Sequence, residues 1–314
     1  MHTDKLIESS KRLIREYPSI KSFVVDRYKD IRQIPIMGDI IFDIRWRNEL
    51  SLLNGGDPSD SEHDSIIHFT LNRSASQFVK RVLSIAVQGK KILHVDWSKM
   101  AGHSKYPYLD HLEVEKFQGY RHFFKPNGYL YSHFGGFVKG IEEMNTYKVL
   151  LIVRDPRDLL VSNYYSTLNS HILPVGSRKR ENLKEKRKEA EKMNIDEWVA
   201  KNSNYYKKRY RKYRKELLRK HPDVHVDKFE RMISNFDGFI CDIFDYCNLD
   251  VNKKKKEYVE EIMHKNNPDK ENINSRNRSG TSEDYKDKLK KGTIKYLNDE
   301  FAREIEYFGY EKQF

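Results

Sequence analysis

One stretch restricts the fold of this 314-residue chain more than any other: YKVLLIVRDPRDLLVSNYYS, residues 147–166. Six of the seven residues from Tyr147 to Val153 are apolar, the pattern of a strand covered on both faces, and such strands belong to parallel sheets. Pro156 follows where the first turn of a helix has no use for an N–H, so strand passes to helix across RDPRD. A doubly covered sheet needs helices on both sides, and the chain supplies them in alternation with further strands. The pattern predicts strands at Ile66–Phe69, Lys91–Val95, Gly128–Ser132, Tyr147–Val153 and Val224–Phe229. It predicts helices at Ala75–Val87, Gly136–Met144, Pro156–Leu168, Asp196–Lys220 and Ile233–Cys247, then near 253–265, 285–291 and 294–307. The fold class is α/β: three layers, with a central parallel sheet flanked by helices.

Residues 1–64 read as a helical preface (Leu6, Leu13, Ile14, Tyr17) closed by the polar linker NGGDPSDSEHD, and 65–314 as the main domain. The net charge of +12 is local. Residues 201–220 carry +9 and residues 178–192 carry +4, which leaves −1 for the remainder. Few apolar residues and many charges make 172–193 an expected mobile basic excursion. Tyr206, Tyr210, Tyr213 and Leu217 recur at helical spacing, so the basic helix is expected to pack that stripe inward and turn its lysines to water. Cys241 and Cys247 sit in an apolar helical pattern and read as packing residues. No segment is apolar over the roughly 18 residues of a membrane span. The N-terminal stretch lacks the features of a secretory signal, so a cytoplasmic protein is expected.

Four stretches carry chemistry. In HFTLNRSASQFVKRVL, residues 68–83, a strand runs through a polar turn into a helix. That arrangement presents backbone N–H groups at the positive end of a helix dipole, a ready anion site. Arg73, Ser74, Ser76 and Gln77 add side-chain donors, yet the glycines and Lys-Ser/Thr pair of a nucleotide-triphosphatase loop are missing. RDPRD lies at the carboxyl end of its strand, where open α/β sheets bind ligands. It reads either as an Arg–Asp network capping a helix or as a second phosphate site built from Arg154 and Ser162. His133 in GYLYSHFGGF ends a strand before two glycines, so its ring is either a structural one or faces the cleft as a base. SRNRSGTSEDY, residues 275–285, is a polar loop with Arg276 and Arg278.

Taken together, these stretches resemble the sulfotransferases that use 3′-phosphoadenosine 5′-phosphosulfate (PAPS). The family's first loop, T-x-P-K/R-S-G-T-x-W, is matched by TLNRSASQF at Thr70, Arg73, Ser74 and Ser76, with Asn72, Ala75 and Phe78 as departures. Its R-D/N-x-x-D motif, followed by a serine eight residues after the arginine, is matched by Arg154 and Ser162. The catalytic histidine of the family follows a short strand, as His133 does. The late R-K-G-x-x-G-D-W loop is echoed by RSGTSEDY at 278–285, and a Tyr-Glu-Asp strand end by VDKFER at 226–231. The resemblance spans about 65–310 and implies a P-loop-like sulfotransferase fold.

The resemblance implies that backbone N–H groups of Ser74, Ala75, Ser76 and Gln77 hold the 5′ end of PAPS, with Arg73 catalytic at the bridging oxygen. Phe78 would stack on the adenine. Ser162, Arg154 and Arg278 would bind the 3′-phosphate, and Phe229, Ser279 and Gly280 would be further cofactor-binding residues. His133 would be the general base. The product would be 3′,5′-ADP (PAP), and no metal is required. Where many relatives have a lysine two residues before the histidine, this chain has Tyr131, with Arg73 or Lys125 as candidates for the missing charge. Ala75 in place of glycine predicts a negative φ at that turn. The acceptor would bear a hydroxyl, anionic ones included (a glycan, a lipid or a small metabolite). Nucleic acid is not expected as a partner, and oligomeric state is not readable. The competing reading is a polyanion- or nucleic-acid-binding protein on the same scaffold without catalysis.

Overall fold

The alternation folds into five strands: β1 Ile66–Thr70, β2 Leu93–Val95, β3 Tyr129–Phe134, β4 Lys148–Val153 and β5 His225–Lys228. They form one sheet in the order β2-β3-β1-β4-β5, and every neighbouring pair is parallel. This computed structural model describes residues 42–170, 177–266 and 281–312, so Arg276, Arg278, Ser279 and Gly280 lie outside the described residues. The chain divides between Pro58 and Ser59 into two units. In the first, a helix spans Arg47–Leu53; the second holds the sheet.

All five residues of β1 are buried, as a strand covered on both sides requires. One face of the sheet, with Ile66, Leu130, Leu150 and Ile152, packs on α1 (Ser76–Ala86) through Val79, Val82 and Leu83. Further helices of the chain close the same core with Phe239, Ile243 and Ile262. Each such side chain contributes roughly 1.5–3 kcal/mol by leaving water. On the other face Phe69, Phe137 and Tyr213 meet ring to ring.

Tyr213 comes from the long basic helix. Between the strands and that helix the chain forms α2 (Trp97–Gly102), α3 (Pro156–Tyr165) and α4 (Ser177–Glu191). The basic helix itself, α5, runs from Ile195 to Lys212 and continues in π-type turns through Tyr213–Leu218. Tyr206, Tyr210, Tyr213 and Leu217 are all buried, so the tyrosine stripe packs inward as its spacing predicts. Asn194 and Glu197 start the helix with a reciprocal capping box.

Two predicted stretches differ. No helix forms at 136–144; only a single 3-10 turn, Met144–Thr146, lies there. Gly140 and Glu143 both adopt positive φ, at 89° and 46°, which a helix excludes, while Phe137, Val138 and Met144 are buried by tertiary contacts instead. Conversely, Ser177–Glu191 of the expected excursion is a helix. Its anchors are charged: Lys179 Nζ donates to the Tyr106 carbonyl at 2.8 Å and Arg187 Nε to the Thr167 carbonyl at 3.0 Å. A helix held by its charges leaves no apolar stripe to read. Cys241 and Cys247 are free thiols, and Cys247 is buried.

Candidate active site

The carboxyl ends of β1, β3 and β4 lie side by side, which is the crevice where a sheet of this topology binds ligands. From β1 the chain turns through Leu71–Ala75. The Ala75 carbonyl accepts from the N–H groups of Phe78 and Val79 at 2.9 and 3.0 Å, so α1 starts at Ser76 and its first N–H groups have no partner within the helix. Ala75 does not take the expected negative φ: it sits at φ 54°, ψ 23°, and Arg73 at φ 77°. A left-handed residue with a Cβ costs about 1–2 kcal/mol. The Ala75 methyl recovers part of that by packing on the core beneath α1. Ser74, between the two left-handed residues, is fully buried, and its Oγ has no hydrogen-bond partner among the described residues. Phe78 is half-buried, with its ring 5.8 Å from that of Phe236.

From β4 come Arg154 and Ser162, both buried. Arg154 Nη1 donates to the Arg73 carbonyl at 3.0 Å and Nη2 to the Thr281 carbonyl at 3.2 Å. Its guanidinium lies 4.1 Å over the Phe229 ring, and its Nε is buried with no partner among the described residues. Arg73 Nε donates to Ser162 Oγ at 3.2 Å. The first loop and the RDPRD segment therefore meet, and Arg73 is brought to Ser162 and Arg154. Of the two readings of RDPRD, the Arg–Asp network is present, at its second arginine. Arg157 and Asp155 form the capping network: Arg157 Nη2 reaches Asp155 Oδ2 at 2.5 Å and Nη1 reaches Asn298 Oδ1 at 2.7 Å.

From β3 comes His133, through a change of register. His68 pairs with Ser132, but the next residue, Phe69, pairs with Phe134, so His133 is an extra residue on β3. Such a bulge re-aims side chains. Phe134 turns to Phe69, with rings 5.9 Å apart. The His133 ring turns to the opposite face, 6.0 Å from the His68 ring, and its Nε2 lies 3.4 Å from Gln77 Nε2 at the start of α1. Ser98 Oγ donates to the His133 carbonyl at 2.7 Å. Gly135 follows, where a Cβ would stand 2.4 Å from Asn72 Oδ1, so a larger residue would have to displace the Asn72 side chain of the first loop.

Sequence reasoning missed the ion pair beside this histidine. Lys80, one turn along α1 from Gln77, reaches Asp96 Oδ2 at 2.7 Å, and Asp96 Oδ1 caps α2 by accepting the Lys99 N–H at 3.0 Å. Burial pushes the Asp96 carboxyl up, but the charges of Lys80 and His133 outweigh it and hold the group below its ordinary value. His68 is fully buried, and burial first, then the nearby His133 and Lys80 charges, keeps it well below the usual histidine value. It is neutral at physiological pH. A lysine one helical turn beyond a loop has no motif to mark it; only the fold brings it to Asp96. Tyr131, at the family's lysine position, faces the other side of the sheet. There its OH donates to the Phe123 carbonyl at 3.0 Å and accepts the Lys125 N–H at 2.7 Å.

Among the described residues no group of His, Cys, Asp and Glu is arranged to hold a metal. Nor is any described helix long and apolar enough to cross a membrane.

The sulfotransferase domain family model matches residues 63–309. Among solved structures, the mouse sulfotransferase SULT7A1 complexed with PAP is similar at 15% identity and a TM-score of 0.52, over 81% of this chain and 89% of that one. Retinol dehydratase in complex with androsterone and inactive cofactor PAP is similar at 14% identity and a TM-score of 0.43, over 82% and 85%. No curated protein matches the sequence. With the family model covering both loops, the bulged histidine and the whole sheet, the chain belongs to the sulfotransferase domain family.

Proposed function

We propose that this sulfotransferase takes its sulfuryl group from PAPS, passes it to an acceptor hydroxyl and leaves 3′,5′-ADP. The observation that carries the reading is a pair of buried, unpartnered polar atoms, Ser74 Oγ and Arg154 Nε, in two segments that Arg73 ties together. A buried polar atom without a partner calls for an explanation such as water or a bound group; these two, unlike Trp198 Nε1 or Glu304 Oε2, follow the carboxyl ends of the neighbouring strands β1 and β4. The first-turn N–H groups of Ser76 and Gln77 add the positive end of a helix dipole. The fold shared with a PAP-bound structure supports the same donor.

When bound, PAPS supplies the sulfuryl group for transfer to the acceptor oxygen. The N–H groups and hydroxyls of Ser74–Gln77 hold its 5′ end, while Arg154 and Ser162 hold the 3′-phosphate. Arg73 bridges the two subsites. Phe229 serves as the platform that keeps Arg154 flat. Phe78 offers the adenine whatever face Phe236 leaves open. His133 takes the acceptor's proton at Nε2, the atom that faces Gln77. Asp96 stabilises the imidazolium that results, and Lys80 keeps Asp96 ionised while lending positive charge to the site. Anionic acceptors are favoured by the exposed cations of α5, such as Lys208 and Arg211.

Thermal shift tests the donor. 3′,5′-ADP without metal should stabilise the protein strongly; ATP with Mg²⁺ and a DNA oligomer should not. No shift at millimolar 3′,5′-ADP would remove the reading. His133→Ala should abolish turnover with labelled PAPS while 3′,5′-ADP affinity changes less than about twofold; a variant that stays active refutes the base assignment.

A further inference from the structure

Asp158 is a buried carboxylate that the chemistry above leaves unused. Its neighbour Asp155 is committed to Arg157, but Asp158 turns towards the end of the chain. Its Oδ2 accepts the Glu283 N–H at 2.6 Å and its Oδ1 accepts the Tyr285 N–H at 3.0 Å, with the side chain almost fully buried. Just upstream of this clasp, the Thr281 carbonyl accepts Arg154 Nη2. Residues 281–285 are thus gripped at two points by residues four apart around the start of α3.

We propose that Asp158 is a positioning residue for the nucleotide: its ionised carboxylate clasps residues 281–285, and the clasped segment holds Arg154 through Thr281. The proposal rests on the reading that Arg154 binds the 3′-phosphate. An ionised carboxylate only accepts hydrogen bonds, so both of its oxygens can take an N–H; a protonated one turns an O–H against one of them. Protonation therefore opens the clasp. Burial pushes this carboxyl up to about 6, against the pull of Arg154 and the two N–H groups. Asp155 pushes it the same way. The other charged groups nearby are Arg157, bonded to Asp155, and Glu230, whose Oε1 accepts the Asp155 N–H at 2.9 Å. Glu283 adds its own charge from the clasped segment. The carboxyl is ionised at neutral pH, where both N–H bonds form; as pH falls through about 6 it takes up a proton while still buried and can no longer accept both, so the clasp loosens.

The test is 3′,5′-ADP binding by calorimetry to the full chain and to Asp158→Asn, from neutral pH down to about pH 5. The ligand's own phosphate titrates near pH 6 but affects both proteins alike, so the ratio of their dissociation constants is the readout. The variant should bind about tenfold more weakly at neutral pH, and the two affinities should converge below the carboxyl's titration. A ratio that stays constant with pH overturns the proposal. Amide hydrogen exchange of Glu283 and Tyr285 in the wild-type chain, corrected for intrinsic rates, needs no variant and no nucleotide. Protection of both amides should fall as pH drops through about 6, and protection that ignores pH overturns the clasp even where Asp158→Asn fails to fold. Wild-type protein that binds no 3′,5′-ADP overturns the nucleotide reading instead, and the exchange experiment separates the two failures.

Discussion

Lys80 and Asp96 show how much rests on single side chains near His133. The pair is largely shielded from water, with side-chain exposures of 13% and 9%. Removing one partner strands the other charge, a loss of roughly 3 kcal/mol. Asp96 is held below its unfolded value of 3.8. It therefore adds stability above that pH and gives it up as pH falls through the lower folded value. Lys80→Met should accordingly be destabilised by roughly 3 kcal/mol at neutral pH in urea unfolding. The deficit should shrink towards pH 4, because the stranded carboxyl of the variant takes up a proton. A deficit that does not change with pH would mean that Lys80 acts by packing alone. Ala75 teaches a complementary lesson: a side chain compatible with negative φ does not impose it when the turn and the methyl's burial both favour the left-handed well.

At the scale of elements, docking of α5 on the sheet depends on polar tips as well as rings. Tyr213 is fully buried and its OH donates to the Thr70 carbonyl at 3.0 Å, at the carboxyl end of β1. Tyr213→Phe should cost about 1–2 kcal/mol in urea unfolding, with the far-ultraviolet spectrum unchanged. The strands were legible because doubly covered strands are nearly continuous apolar runs, and the tyrosine stripe of α5 because helical spacing declares a buried face. α4 was not, because Lys179 and Arg187 anchor it by hydrogen bonds that carry no periodicity. The predicted helix at 136–144 failed for the opposite reason: Phe137, Val138 and Met144 are buried without being helical. At the site, motif spacing picked out Arg73, Arg154, Ser162 and His133. It was silent on Lys80 and Asp96, and on the register change that turns His133 to the face of His68. Contacts made between distant segments leave no local mark.

Across the whole molecule, the positive charge is not all available to partners. Lys207 pairs with Glu300, Arg209 with Asp110 and Arg214 with Glu304, whereas Lys208, Arg211 and Arg219 are exposed. Reversing those three to glutamate should weaken capture of an anionic acceptor, seen as a raised KM and a flatter salt dependence. Turnover of a neutral phenol should be unaffected. The grip of Arg154 on the Arg73 and Thr281 carbonyls has a wider consequence. It joins parts of the chain that are synthesised far apart in time, and Arg157 Nη2 adds the Glu311 carbonyl at 2.8 Å. The last strand ends at Lys228, so the sheet needs none of the residues that follow, whereas Arg154 and Arg157 gain the Thr281 and Glu311 carbonyls only from residues 281–311.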